Sequence, residues 1–141
     1  MKELLNLDKW SRNDHFNFFK DFEEPFFGVA VKIDCTEAYK KCKEHNLSFF
    51  LFYLHKSLVA ANSVESFRYR IENENVYIYD KVHASPTINR PDGTFGFAYM
   101  DYYFDFNLFS EKAKKEIENV QKTQGLKPAV SGENVIPKSP K

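Results

Sequence analysis

One stretch of the sequence, residues 49–61, restricts the possible folds most, because a helix there carries apolar side chains around most of its circumference. Ser48 precedes the stretch and is a favourable helix N-cap. The apolar positions are Phe49, Phe50, Leu51, Phe52, Tyr53, Leu54, Leu58 and Val59. Such a helix must be covered on several sides, so other elements have to pack around it. A chain of 141 residues is long enough to do this as one domain.

Three elements are predicted before this helix. Phenylalanines at three-residue steps indicate a short amphipathic helix or a 3₁₀ segment over residues 11–22. Apolar and small or polar residues alternate over 26–33, which is a strand pattern with Phe27 and every second residue after it on one face. Asp34 and Glu37 have the spacing of a capping box, which predicts a helix running to about residue 45.

The second half of the chain predicts a hairpin, a further strand and a long helix. Residues 67–71 and 76–79 are predicted strands, and the sequence Glu-Asn-Glu-Asn between them is a predicted turn. Residues 94–100 form the next predicted strand, and 106–122 an amphipathic helix with Phe106, Phe109, Ala113, Ile117 and Val120 on its inner face. This order of elements predicts an α/β domain, a two-layer α+β sandwich in which helices pack on a mixed sheet.

The last residues differ in composition from the rest. Residues 124–141 carry two glycines and three prolines with few large apolar side chains, which is typical of a loop or tail. We therefore expect a domain over residues 1–123 and a tail over 124–141.

Charge and composition exclude several classes of function. Lysine plus arginine and aspartate plus glutamate each number 20, so the net charge is zero, whereas nucleic-acid binding relies on a basic surface. We expect no nucleic-acid partner. The sequence has neither the long apolar run of a membrane helix nor an apolar leader, so we expect no membrane association and a cytoplasmic location. Cys35 and Cys42 are expected to be reduced and structural, and no Cys/His spacing indicates a metal site.

Several short motifs follow one another in a fixed order along the chain. Residues 10–16 read Trp-Ser-Arg-Asn-Asp-His-Phe and are similar to the opening Trp-x-Arg-x-x-His-Phe of the chloramphenicol acetyltransferase family. Residues 67–71, Phe-Arg-Tyr-Arg-Ile, resemble its Phe-Arg-x-x-Ile hairpin strand, and 105–109, Asp-Phe-Asn-Leu-Phe, its Asp-Phe-x-x-Phe segment. Shorter similarities lie at 32–34, 79–82, 86–87 and 94–95.

The resemblance implies an enzyme of known type. Family members are homotrimers with active sites at subunit boundaries, and they transfer acetyl from acetyl-CoA to a hydroxyl of chloramphenicol, which confers antibiotic resistance. The base is a histidine in a His-His-x-x-x-Asp-Gly motif, which suits an imidazole because its pKa lies near neutral pH. The resemblance implies no metal.

The resemblance also implies site residues. The family counterparts of Phe19, Phe27, Thr87, Phe95 and Phe97 line the chloramphenicol pocket, where aromatic walls suit a nitrophenyl ring. Ordinary core packing is the alternative for the phenylalanines, and an ordinary strand position for Thr87. Arg12 matches an arginine that supports the catalytic histidine by pairing with the motif's aspartate; a solvated arginine is the alternative.

The sequence departs from the family where the chemistry lies. No two histidines are adjacent, the one Asp-Gly pair is Asp92-Gly93 in a predicted turn, and the similarity breaks off at Ile136. We therefore assign no catalytic residue: the fold is expected to be incomplete at its carboxyl end, and acetyl transfer by this chain negligible. The alternative function is a truncated, catalytically dead fragment that only binds a small molecule or oligomerises.

Overall fold

The computed structural model describes residues 1–25 and 27–126. Ile136 and all but the first residues of the predicted tail lie outside the described residues, so the division into a domain and a tail stays a prediction. The regular elements are β1 (Lys2–Leu4), α1 (Asn13–Phe19), α2 (Thr36–Glu44), α3 (Phe49–Ser63), β2 (Tyr69–Glu72), β3 (Asn75–Tyr79), β4 (Thr87–Asn89), β5 (Phe95–Phe97) and α4 (Phe106–Lys122). Short 3₁₀ turns lie at Leu7–Lys9 and Glu65–Arg68.

The helix that most restricts the fold forms as predicted. The Ser48 hydroxyl accepts a hydrogen bond from the Leu51 N–H at 3.3 Å and so begins α3. Among the described elements, α2, α4 and the 3₁₀ turn at Glu65–Arg68 pack against α3. Its fully buried residues are nevertheless only Leu51, His55 and Leu58. The apolar circumference is therefore covered on more than one side but not all round.

The core lies between α3, α4 and the β4–β5 hairpin. Phe109 and Ala113 are the deepest side chains of α4, on the predicted inner face. Asp105 begins this helix by accepting a hydrogen bond from the Leu108 N–H at 2.8 Å. The core cluster consists of Leu51, Leu58, Ile88, Ala98, Met100, Phe109, Ala113 and Val120.

The described strands pair in two small antiparallel sheets. The first has the order β1-β3-β2, and the second is the β4–β5 hairpin. In the first sheet, Glu72 pairs with Asn75, and the turn residues Asn73 and Glu74 have φ of 48° and 69°. Positive φ at both central residues is the geometry of a type I′ turn, whose twist suits a hairpin. The predicted hairpin is confirmed, but β2 starts at Tyr69 because the residues before it form a 3₁₀ turn.

The strand predicted over residues 26–33 is wrong for its described part. Residues 27–33 belong to no strand, and both sheets are built from other segments. The physical reason is that alternation decides which side chains share a face, whereas a strand also needs a neighbouring backbone for its N–H and C=O groups. None of the described strands provides that neighbour.

Two predicted helix starts are also corrected. Asp34 does accept a hydrogen bond from the Thr36 N–H at 2.9 Å, but α2 begins only at Thr36, with Cys35 in the cap position. A side chain that bonds a backbone N–H two residues on forms a local turn instead of a capping box. α1 is shorter than predicted and buries none of its residues.

Both cysteines are free, as predicted, with Cys42 buried and Cys35 exposed.

Candidate functional site

The β4–β5 hairpin gathers three of the predicted site residues. Thr87 pairs with Phe97 in the antiparallel register, and directly paired residues share a face of the sheet. Phe95 lies two residues from Phe97 and therefore on the same face. The two rings meet edge to face with their centroids 5.8 Å apart.

This aromatic face points away from the core. Ile88 and Gly96, which pair on the opposite face of the hairpin, are buried. Phe95 and Phe97 remain 43% and 38% exposed. In the described residues, therefore, these two rings are not part of the core cluster, and their role in a pocket stays a prediction. They offer an apolar surface to a ligand or to a neighbouring polypeptide.

A cavity of about 520 Å³ opens at the tip of this hairpin, between the β4–β5 turn and the end of α4. It is lined by Arg90, Asp92, Gly93, Thr94, Phe95, Gln124, Gly125 and Leu126. Its size lies within the roughly 300–1,000 Å³ range of small-molecule sites. Phe95 belongs both to this cavity and to the aromatic face.

Arg90 fixes the geometry of the cavity. Its Nη1 donates to the Phe95 carbonyl at 2.7 Å, its Nη2 to the Gly125 carbonyl at 2.9 Å, and its Nε to the Val120 carbonyl at 3.0 Å. One planar guanidinium thus ties β5 to the carboxyl end of α4, and charged donors make the stronger hydrogen bonds. Nothing in the sequence pattern singles out Arg90, because its partners are backbone atoms and two of them, in Val120 and Gly125, are distant along the chain.

The turn of the hairpin is held by Asp92. Its carboxylate accepts from the Thr94 N–H at 2.9 Å and from the Thr94 hydroxyl at 2.7 Å. These two hydrogen bonds hold the pKa of Asp92 below its ordinary value, because they stabilise the charged carboxylate. Gly93 has a φ of 83°, which a residue with a Cβ adopts at a cost. The Asp-Gly pair therefore serves the turn, as predicted.

The other predicted site residues lie elsewhere. Phe19 packs in a trio with Phe18 and Phe22, with centroids 5.0 and 5.2 Å away. Phe27 is 89% exposed in the segment without regular structure. Within residues 1–25 and 27–126, no ring contact joins either of them to the aromatic face of the hairpin.

Arg12 is exposed at the start of α1. The hydrogen bond from Tyr69 to Glu65 is the main reason that the pKa of Tyr69 is raised, and the positive charge of Arg12 opposes that rise. Arg12 shows no ion pair with an aspartate in the part of the chain that the structure describes. Its supporting role stays a prediction.

Two histidines have structural partners that sequence reasoning does not identify. The buried His55 has its Nε2 at 3.1 Å from the carbonyls of both Tyr103 and Phe104, which makes Nε2 the protonated donor. His83 accepts a hydrogen bond from the Tyr102 N–H at its Nδ1, at 2.9 Å. Burial is the main reason that the pKa of His83 is lowered, and Asp101 opposes it. Both histidines hold the segment before α4 in place.

Metal and membrane features are absent from the described part of the chain. No cluster of three or more His, Cys, Asp or Glu side chains there could hold a metal ion. No described helix is both long enough and apolar enough to cross a bilayer.

Comparison with known proteins defines the class and then the family. A solved chloramphenicol acetyltransferase shares the fold, with a TM-score of 0.82 and 31% identity, over 89% of this chain and 59% of that one. By fold the chain is an acetyltransferase-type α+β domain, which confirms the predicted fold class. The chloramphenicol acetyltransferase family model matches residues 2–140, and the chain belongs to that family.

Curated relatives agree with this assignment. The chloramphenicol acetyltransferase of Proteus mirabilis is 24% identical over 81% of this chain and 53% of its own length. That of Escherichia coli is 24% identical over 74% of this chain and 48% of its own length. The chain therefore spans about half the length of the curated relatives that it matches.

Proposed function

We propose that this chain is part of an acetyl-CoA-dependent O-acetyltransferase that modifies a hydroxyl of an amphenicol-type acceptor and so gives antibiotic resistance. Acetyl-CoA is the co-substrate and no metal takes part. The observation that carries the proposal is the family match over residues 2–140.

The acceptor surface that we propose is the outer face of the β4–β5 hairpin. Phe95 and Phe97 supply two aromatic walls at an angle to each other, and Thr87 supplies a hydroxyl beside Phe97. A nitrophenyl ring packs well in such a corner, because aromatic pairs favour edge-to-face contacts. Arg90, which lines the adjoining cavity, donates a hydrogen bond to the Phe95 carbonyl and so holds β5 beside it.

Phe19 and Phe27 make no described ring contact with the aromatic face of the hairpin. We propose that they line the pocket from a neighbouring subunit, which fits active sites at the boundaries of a homotrimer. Their exposure of 47% and 89% in the single chain supports this role. The homotrimer and the cytoplasmic location are both part of the proposal, and the mass of the assembly in solution, measured by light scattering, tests the first.

No described histidine is paired with an aspartate in the way that the family's catalytic histidine motif implies. His55 and His83 each bond the backbone through one ring nitrogen, and His15 and His45 are exposed surface residues. The sequence has no adjacent histidines. We therefore propose that the 141-residue chain alone binds the acceptor without acetylating it, which is also what the alternative of a small-molecule-binding or oligomerising fragment requires.

Two measurements on the 141-residue chain test these proposals. In the first, the chain is incubated with chloramphenicol and acetyl-CoA, and free thiol is followed; release above background would contradict the absence of a base. In the second, chloramphenicol is titrated calorimetrically into the parent chain and into F95A/F97A. Loss of both rings should weaken binding about tenfold or more, since each buries about 150–250 Å².

The matched control is F104A, because Phe104 is 80% exposed and lies outside the proposed acceptor surface. F104A should bind chloramphenicol like the parent chain. Equal binding by F95A/F97A and the parent would refute the location of the site. No binding by the parent at high ligand concentration would refute the acceptor proposal.

A further inference from the structure

The antiparallel pairing of the β4–β5 hairpin continues beyond the two strands. Ala84 and Met100 form one further bridge, in which the Ala84 N–H bonds the Met100 carbonyl at 3.1 Å and the Met100 N–H bonds the Ala84 carbonyl at 2.8 Å. In an antiparallel ladder the next hydrogen-bonded pair lies two residues further along each strand, which here is Val82 and Tyr102. Side chains bond the backbone groups of that pair, and the ladder ends there.

Two different kinds of side chain end the ladder. The Asn62 amide of α3 donates to the Val82 carbonyl at 3.0 Å and accepts from the Val82 N–H at 2.8 Å. The Tyr102 N–H donates to the Nδ1 of His83 at 2.9 Å. An amide keeps its donor and its acceptor at every pH, whereas Nδ1 accepts a hydrogen bond only while it carries no proton. The hydrogen bond of Tyr102 therefore depends on pH.

The charged form of His83 has a partner of its own. The Asp101 Oδ1 lies 3.4 Å from the same Nδ1, and the imidazole packs against the Tyr99 ring with centroids 5.5 Å apart. The Glu116 carboxylate of α4 accepts from the Tyr99 N–H at 3.4 Å. Burial is the main cause of the lowered pKa of His83; Asp101 opposes it and the positive charge of Lys81 adds to it. The imidazole is thus neutral at neutral pH and gains its proton below about pH 6.5.

We propose that His83 is a pH-dependent switch, which holds residues 101–104 through the Tyr102 N–H when neutral and releases that N–H when protonated. A proton from solvent binds Nδ1, the imidazolium then donates to the Asp101 carboxylate, and the Tyr102 N–H faces a donor in place of its acceptor. No covalent bond changes. The release is local, because the Nε2 of His55 still bonds the carbonyls of the last two residues of the segment. The inference does not depend on acetyl transfer or on acceptor binding.

The test is amide hydrogen exchange in the isotope-labelled 141-residue chain, followed by nuclear magnetic resonance between about pH 7.5 and about pH 5. Protection is expressed relative to the exchange rate of an unstructured chain at the same pH. Protection of the Tyr102 amide should fall about fivefold as His83 gains its proton, which is the worth of one net hydrogen bond. The Met100 amide, which bonds the Ala84 carbonyl, is the internal reference and should keep its protection.

Two outcomes of this experiment would overturn the proposal. If Tyr102 and Met100 lose protection together, acid acts on the whole hairpin and not through one imidazole. If the Tyr102 amide is already unprotected at about pH 7.5, neutral His83 does not hold the segment.

Two substitutions separate the switch from a general effect of acid. H83N keeps an acceptor oxygen near the Nδ1 position at every pH, so protection of the Tyr102 amide should no longer change with pH. D101N removes the charge that favours the imidazolium and should lower the midpoint of the Tyr102 transition by about half a pH unit. Circular dichroism at neutral pH should match the parent chain for both variants. A transition that persists in H83N, or one that D101N leaves at the same pH, would refute the exchange of partners at Nδ1.

Discussion

Gly96 lies close against the Val120 side chain of α4 and the Arg90 guanidinium. A Cβ added there would lie 2.6 Å from the Val120 Cγ1 and 2.7 Å from the Arg90 Nη2. Favourable contacts between carbon atoms lie near 3.5–4.0 Å, so one of these neighbours would have to move. The Arg90 guanidinium is held by three backbone carbonyls, those of Val120, Phe95 and Gly125, and its displacement would loosen them.

The expected cost of G96A follows from these contacts. Overpacking costs about 1–3 kcal/mol, and each hydrogen bond that Arg90 loses adds about 1 kcal/mol. The smaller conformational freedom of alanine in the unfolded chain offsets about 0.4–1 kcal/mol. The net loss in free energy of unfolding should be about 2 kcal/mol, within a range of about 1–4 kcal/mol.

Urea unfolding of the 141-residue chain, followed by far-ultraviolet circular dichroism, measures this loss. The matched control is G28A, because a Cβ at Gly28 meets nothing within 4 Å, and its stability should stay within about 0.5 kcal/mol of the parent. In a V120A background the added methyl loses one of its two clashes, so G96A should cost less there. Equal stability of G96A and G28A would refute the close packing of β5 on α4.

Three further results are expected. D105A removes the cap that accepts from the Leu108 N–H and should lower the free energy of unfolding by about 0.5–2 kcal/mol in urea titrations, while D105N keeps most of it. F109A removes a ring that is 1% exposed and leaves a cavity in the core. The free energy of unfolding, measured in urea, should therefore fall by about 3–5 kcal/mol. Because burial lowers the pKa of His83 in the folded state, the unfolded chain binds more protons just below the ordinary histidine pKa. Stability should therefore fall as pH drops through about 6.5. Melting temperatures measured from pH 7.5 to 5.5 should fall less for H83Q than for the parent chain.

Local signals in the sequence determine two helices and one hairpin. Ser48 and Asp105 begin α3 and α4 at the predicted residues because an N-cap satisfies backbone donors within its own turn. The hairpin between β2 and β3 likewise depends on adjacent residues, with Asn73 and Glu74 in the turn. These elements need no distant partner to be specified, so their sequence is sufficient.

Long-range pairing could not be predicted in the same way. The strand pattern at 27–33 finds no partner, whereas the three-residue strands β1 and β4, too short for a clear alternation, do. The predicted capping box at Asp34 also gives way to a local turn. In each case the outcome depends on which backbone lies beside the segment, and that is a property of the folded chain.

The sequence by itself determined the family, through short motifs in a fixed order, and it identified Thr87, Phe95 and Phe97 as candidates for one site. Only the tertiary structure decided that the antiparallel register of β4 and β5 puts these three on one outer face, while Phe19 and Phe27 lie elsewhere. It alone assigned Arg90 its role, because a side chain that bonds the distant backbone carbonyls of Val120 and Gly125 leaves no trace in local spacing. The sequence gives the chemistry of each side chain, but segments far apart in sequence become neighbours only when the chain folds around its core.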